Sequence, residues 1–169
     1  ALDWIAANKD KFNIGAVVAP FAKPSTIGGT VALPCNTTGS YVSSINNLVN
    51  AGMPMIFPSG NEFNYANVDN PACLNGVLAI SAIDDKGRLA LYANYSPRVD
   101  FAASGNLQVA YPGNQYKSDS GTSLSVAVFG ADWLRIANAK SISYQDEYNL
   151  IKNTSDPYTN IMVKKYVLA

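Results

Sequence analysis

Residues 40–61 read SYVSSINNLVNAGMPMIFPSGN. Tyr41, Ile45, Leu48 and Val49 recur at helical spacing, which predicts a helix over residues 40–50. Ser40 is placed to cap its start, and Gly52 to close its end in left-handed backbone. Residues 53–57 form a short apolar run, the pattern of a strand buried on both faces. A similar run over residues 14–19 ends at Pro20, and a third spans residues 77–83. The order is strand, helix, strand, with connections of the length that parallel pairing requires. An α/β domain follows, with a largely parallel sheet and helices on both faces.

Further out, residues 1–12 are a helix candidate, with Leu2, Ile5, Ala6 and Phe12 near one face. Residues 21–39 carry Pro24, Gly28-Gly29, Pro34 and Cys35 and read as a loop. Asp84-Asp85-Lys86-Gly87 is a turn, followed by strand candidates at residues 88–95 and 99–102. Gly113-Asn114 marks another turn. Leu124, Val128, Trp133, Leu134 and Ile136 give a helix over residues 123–139. Ser143 with Asp146 suggests the capped start of a last helix, running to residue 152. Residues 161–168 read as a final strand.

The 169 residues are 48% hydrophobic and 14% charged, with twelve basic and twelve acidic side chains. That balance suits a chain with a buried core. It offers no basic patch for nucleic acid and no membrane-surface footprint. No apolar stretch approaches the roughly 18–20 residues that span a bilayer. There is no histidine. A His-ligated zinc, a Ser-His pair and a Cys-His pair within this chain are therefore excluded. Cys35 and Cys73 could form one disulfide in an oxidising compartment or remain two separate buried thiols. Asn36-Thr37-Thr38, Asn94-Tyr95-Ser96 and Asn153-Thr154-Ser155 are glycosylation sequons.

In open α/β sheets, chemistry gathers where strands end and helices begin. Pro58-Ser59-Gly60-Asn61 follows the central apolar run. It is either an ordinary Gly-Asn turn or a turn that presents the Asn61 amide to an oxyanion. Ser120-Gly121-Thr122-Ser123 leads into the apolar helix. Ser123 is either a simple helix-start residue or a nucleophile at the positive end of the helix dipole.

Taken together, these segments resemble the subtilisin-like serine proteases, the subtilases. Gly121-Thr122-Ser123-Leu124-Ser125 resembles their nucleophile motif, and Ser59-Gly60-Asn61 their oxyanion segment. Ala1-Leu2-Asp3-Trp4-Ile5-Ala6-Ala7-Asn8 is similar to the helix before their substrate-binding strand. Val77-Leu78-Ala79-Ile80-Ser81-Ala82-Ile83-Asp84 is similar to the strand that follows. Cys35 and the Pro71-Ala72-Cys73 triplet resemble a secreted bacterial subgroup. The matches are colinear over roughly residues 1–160.

The resemblance implies a three-layer subtilisin-like α/β fold over residues 1–169, incomplete at its N-terminal side. It implies a secreted serine endopeptidase in which Ser123 is the nucleophile and Asn61 an oxyanion donor. Pro58, Ser59 and Gly60 would form one wall of the primary specificity pocket, with Phe21 and Ala22 opposite and Thr122 beside the nucleophile. A Cys35–Cys73 disulfide is implied as well. The partners would be a peptide or protein substrate and the part of the domain that supplies Asp and His, without which this chain is inactive. No cofactor is expected; calcium is common in the family, but no carboxylate loop here suggests a site.

The chain also departs from the family pattern. Ala127 stands where the nucleophile motif has Pro. The substrate strand reads Val17-Val18-Ala19-Pro20-Phe21-Ala22-Lys23, and Pro20 removes a backbone donor there. Ala103-Ser104-Gly105 replaces an expected Ala-Pro-Gly. A catalytically silent binding or scaffold domain is the alternative these departures favour. The serine-carboxyl peptidases, or sedolisins, share a Gly-Thr-Ser motif and need no histidine. They place Asp in the oxyanion position, where this chain has Asn61.

Overall fold

A computed structural model describes residues 1–24, 26–27, 31–32, 34–157 and 164–165. The elements in chain order are α1 (Leu2–Asn8), β1 (Val17–Val18), β2 (Thr26–Ile27), β3 (Val31–Ala32), α2 (Ser40–Asn50), β4 (Met55–Pro58) and β5 (Leu78–Ile83). They continue with β6 (Phe101–Ser104), β7 (Asn106–Tyr111), β8 (Gln115–Ser120), α3 (Thr122–Lys140), α4 (Tyr144–Thr154), β9 (Asp156–Pro157) and β10 (Lys164–Lys165).

The main sheet runs β1-β4-β5-β6-β10-β9. All its pairings are parallel except that of β9 with β10. Strand alternation sorts the core into two layers. Met55, Phe57, Ala79 and Ala102 face Val42, Ile45 and Leu48 of α2, with Leu2 and Ile5 of α1 packed alongside. Ile56, Leu78, Ile80 and Phe101 face Val126, Phe129 and Trp133 of α3 and Ile151 of α4. Both faces are covered, which is why the strands read as continuous apolar runs. Phe101 and Phe129 stack at 5.1 Å between ring centroids. At Gly130, α3 comes so close to β1 that a Cβ would lie 2.5 Å from Val18.

The capping signals resolve unequally. Gly52 takes the left-handed conformation after α2, with φ +76°. The Ser143 hydroxyl accepts the Asp146 N–H at 3.2 Å. Ser40 is already helical; Gly39, with φ +110°, precedes α2, and its carbonyl accepts from Val42 and Ser43. The first helix is shorter than its periodicity suggests. Phe12 lies beyond it, 54% exposed and stacked on Trp4 at 5.5 Å instead of joining the core.

Residues 88–95 do not form a strand. Leu89 makes one isolated bridge with Ile83. The following backbone turns back on itself and bonds to the loop after β4: Phe63 N–H to Tyr92 O, Asn94 N–H to Gly60 O and Tyr95 N–H to Asn64 O. The strand near residue 99 begins at Phe101. Residues 106–120 form an antiparallel hairpin, β7–β8, closed around Gly113 and Asn114. Its β8 face is wholly exposed, so apolar patterning gave no signal for it. Within residues 21–39, β2 and β3 pair. Of the expected last strand, Lys164 and Lys165 pair in parallel with Phe101 and Ala102; its other residues lie outside the described set.

Cys35 and Cys73 are joined by a disulfide across 38 residues. Of the sequon asparagines, Asn36 and Asn153 are exposed, whereas Asn94 is fully buried. A buried, hydrogen-bonded Asn94 is no glycan acceptor in the folded chain.

Candidate functional site

Three chain segments converge at the carboxyl edge of the sheet. Pro20 follows β1, residues 58–61 end β4, and residues 121–123 open α3. This is the edge at which parallel sheets place their ligands.

Asn61 and α3 are joined directly. The Asn61 Oδ1 accepts the Thr122 N–H at 2.9 Å and the Thr122 hydroxyl at 3.0 Å. The Thr122 Oγ1 in turn accepts the Gly60 N–H at 3.3 Å. With its oxygen committed to Thr122, Asn61 keeps its Nδ2 hydrogens for another acceptor. Asn61 is exposed, whereas Thr122 is fully buried.

Ser123 is the second residue of α3, within the first turn, where backbone N–H groups have no intrahelical acceptor. No acidic residue occupies that turn to neutralise the positive helix end. The Ser123 hydroxyl donates to the Pro20 carbonyl at 3.0 Å. This places Ser123 beside the end of β1, a segment 103 residues away in the sequence.

The segment at residues 58–60 is held by several hydrogen bonds. The Ser59 hydroxyl is buried and donates to the Asn94 carbonyl at 2.8 Å. The Ser59 N–H donates to Ile80 O, and its own carbonyl accepts the Asp69 N–H. Gly60 has φ +109°, and a Cβ there would lie 2.2 Å from Asn94 Nδ2 and 2.4 Å from Asp69 Oδ2. Backbone conformation and space both demand glycine.

Phe21 and Ala22 follow Pro20, which lines the same groove as they do. They line an apolar groove of about 530 Å³ with Leu2, Ile5, Tyr41 and Phe57. The Phe21 ring meets Phe57 edge-on at 6.1 Å between centroids. Asn70, another lining residue, bonds to Lys23 through its backbone and accepts the Tyr41 hydroxyl at 2.6 Å. The Asn70 side chain also contacts both sulfurs of the disulfide. Among the described residues, no group of three or more His, Cys, Asp or Glu is arranged to hold a metal ion. No helix among them is long and apolar enough to cross a membrane.

Comparison with known proteins fits this arrangement. The model of the subtilase family matches residues 28–162. The chain belongs to the subtilase family. It is 36% identical, over 93 residues, to the thermostable alkaline protease of Halalkalibacterium halodurans, covering 53% of this chain and 26% of that protein. It is 31% identical, over 114 residues, to subtilisin BL of Lederbergia lenta, covering 66% of this chain and 42% of that protein. The chain thus spans less than half the length of these curated relatives.

Solved structures share the fold. The prenylagaramide maturation protease PagA superposes with a TM-score of 0.76 at 17% identity, over 98% of this chain and 64% of that one. A protease from Pseudoalteromonas arctica superposes with a TM-score of 0.67 at 21% identity, over 79% of this chain and 45% of that one. The fold is therefore the α/β architecture of the subtilases.

Sequence reasoning missed the residues that support the site. Asn94, Asp69 and Glu62 gather behind Gly60 and Asn61. Asn94 stands out in the sequence only as a sequon.

Proposed function

We propose that this chain carries the nucleophile and oxyanion hole of a secreted serine endopeptidase, with the general base and its orienting carboxylate supplied by residues outside these 169. The observation that carries the reading is the link from Asn61 Oδ1 to Thr122, which sets the Asn61 side-chain amide beside the N-terminal turn that holds Ser123.

In this mechanism the Ser123 Oγ attacks a peptide carbonyl while its proton passes to a histidine, oriented by an aspartate. The carbonyl oxygen becomes an oxyanion, met by Asn61 Nδ2 and the Ser123 N–H. The histidine then returns the proton to the departing amine, leaving an acyl ester on Ser123. Water, deprotonated by the same histidine, hydrolyses that ester. The apolar groove beside Phe21 suits the side chains of an extended peptide, and Pro58, Ser59 and Gly60 give a hydrogen-bonded wall beside the scissile bond. Both cysteines are paired, which is consistent with an oxidising extracellular setting.

Active-site titration of the full-length protein with a fluorophosphonate tests the reading. Stoichiometric labelling at Ser123, lost in Ser123→Ala, is expected. A folded protein that takes no label would overturn it.

A second reading has its own support. Pro20 offers no N–H to a substrate backbone, and its carbonyl already holds the Ser123 hydroxyl. A silent subtilase-like domain would bind peptides without cleaving them. Peptide binding by the full-length protein with no fluorophosphonate labelling would favour it.

A further inference from the structure

Asn94 is fully buried, and all of its side-chain bonding capacity is used. Its Oδ1 accepts the Glu62 N–H at 2.9 Å and the Asn64 N–H at 3.0 Å. Its Nδ2 donates to Glu62 Oε2 at 2.6 Å and to Asp69 Oδ1 at 3.1 Å. The main chain of the same residue donates to Gly60 O at 2.9 Å and accepts the Ser59 hydroxyl at 2.8 Å. One residue therefore bonds to positions 59, 60, 62 and 64 of the loop that presents Asn61.

Two consequences reach Asn61. The first runs through Glu62, whose Oε2 also accepts the Asn61 N–H at 2.9 Å. Asn94 holds that carboxylate, and the carboxylate holds the Asn61 backbone. The second is conformational. Gathering the N–H groups of residues 62 and 64 on one oxygen turns the backbone between them left-handed. Phe63 has φ +56° and a ring that is 61% exposed. Such a conformation costs a non-glycine residue about 1–2 kcal/mol, so the loop would relax if the oxygen were removed. These bonds come from residues 30–35 positions away in the sequence and fix the loop from its buried side.

We propose that Asn94 is the positioning residue for the oxyanion donor: it holds residues 59–64 so that the Asn61 amide points to the Ser123 side of the site. The inference rests on the reading of Asn61 and Ser123 given above. Asn94 does not touch the reacting atoms; it acts through Glu62, Gly60 and the turn at Phe63. An oxyanion donor displaced by about 1 Å loses on the order of 100-fold in rate, so the effect belongs in kcat and not in binding.

The test uses the full-length protein with Asn94→Ala and, separately, Glu62→Ala. Glu62 is half-buried, so its truncation spares the core if Asn94→Ala fails to fold. Two readouts are taken. In peptide turnover, Asn94→Ala should lower kcat about 10-fold or more while KM changes less than about threefold, with a smaller kcat loss in Glu62→Ala. In amide hydrogen exchange, protection at Glu62 and Asn64 should fall about 10-fold or more in Asn94→Ala, while residues 78–83 keep theirs. In Glu62→Ala the Asn61 amide should lose protection by a similar factor. Unchanged loop protection in the folded variants would overturn the proposal, as would lost protection with unchanged kcat. Wild-type protein without turnover would refute the protease reading alone, and the exchange measurement would still decide whether Asn94 positions the loop.

Discussion

Asn61 and Thr122 are 61 residues apart in the sequence, yet the Asn61 Oδ1 receives both the backbone N–H and the hydroxyl of Thr122. This pair locks the loop after β4 to the start of α3. It turns two independent strand-end and helix-end features into one site.

Thr122→Val tests that lock. The substitution keeps the volume of a fully buried side chain but deletes the hydroxyl that bonds Asn61 and receives the Gly60 N–H. A stability loss of about 1–3 kcal/mol is expected in urea unfolding, because buried partners lose their hydrogen bonds. Fluorophosphonate labelling of the full-length protein should slow while Ser123 itself remains in place.

Gly60→Ala should be severe. The new methyl would fall on Asn94 Nδ2 and Asp69 Oδ2, in backbone that disfavours any side chain. A loss of about 3 kcal/mol or more in chemical denaturation is the expected outcome. A folded variant within about 0.5 kcal/mol of wild type would show that the loop repacks freely.

Removal of the Cys35–Cys73 disulfide, by Cys35→Ser with Cys73→Ser, should cost about 2–4 kcal/mol, as closure of a 38-residue loop predicts. The thermal midpoint should drop under non-reducing conditions. Because Asn70 touches both sulfurs and bonds to Lys23, the groove beside Phe21 should lose order in the same variant. Raised hydrogen exchange at Lys23 would report this.

Glu147 gives a pH dependence. It is 2% exposed in α4, and its Oε1 has no hydrogen-bond partner among the described residues. Burial raises its carboxyl from 4.5 to about 7, and a backbone hydrogen bond at Ala137 acts the other way. The folded chain therefore holds a proton that the unfolded chain releases between pH 4.5 and about 7. Stability contributed by the neutral form is full below pH 4.5 and falls as pH rises to about 7, by up to about 1.4 kcal/mol per pH unit. Glu147→Gln should flatten that slope and raise the thermal midpoint at pH 8 relative to wild type. A parallel pH profile in the two proteins would refute the assignment.

The parallel core was legible because strands covered on both faces must be apolar throughout. Met55, Ile56 and Phe57 show this, as do Leu78, Ala79 and Ile80. The α4 cap was legible because Ser143 and Asp146 act over three residues. The hairpin β7–β8 was not, because strands open to water carry no such constraint. Residues 88–95 misled for a related reason: Leu91 is apolar but 77% exposed, and the backbone there serves the Asn61 loop.

The sequence by itself determined the strand-helix-strand order of the parallel core, the absence of any histidine, and the motifs that hold Asn61 and Ser123. These follow from local periodicity and residue chemistry. Only the tertiary structure decided that Asn61 grips Thr122, that Ser123 rests against Pro20, that Phe21 and Ala22 line an apolar groove with Pro20, and that Asn94 lies beneath the site. Each depends on hydrogen bonds or packing between segments tens of residues apart, for which no local pattern in the chain provides a signal.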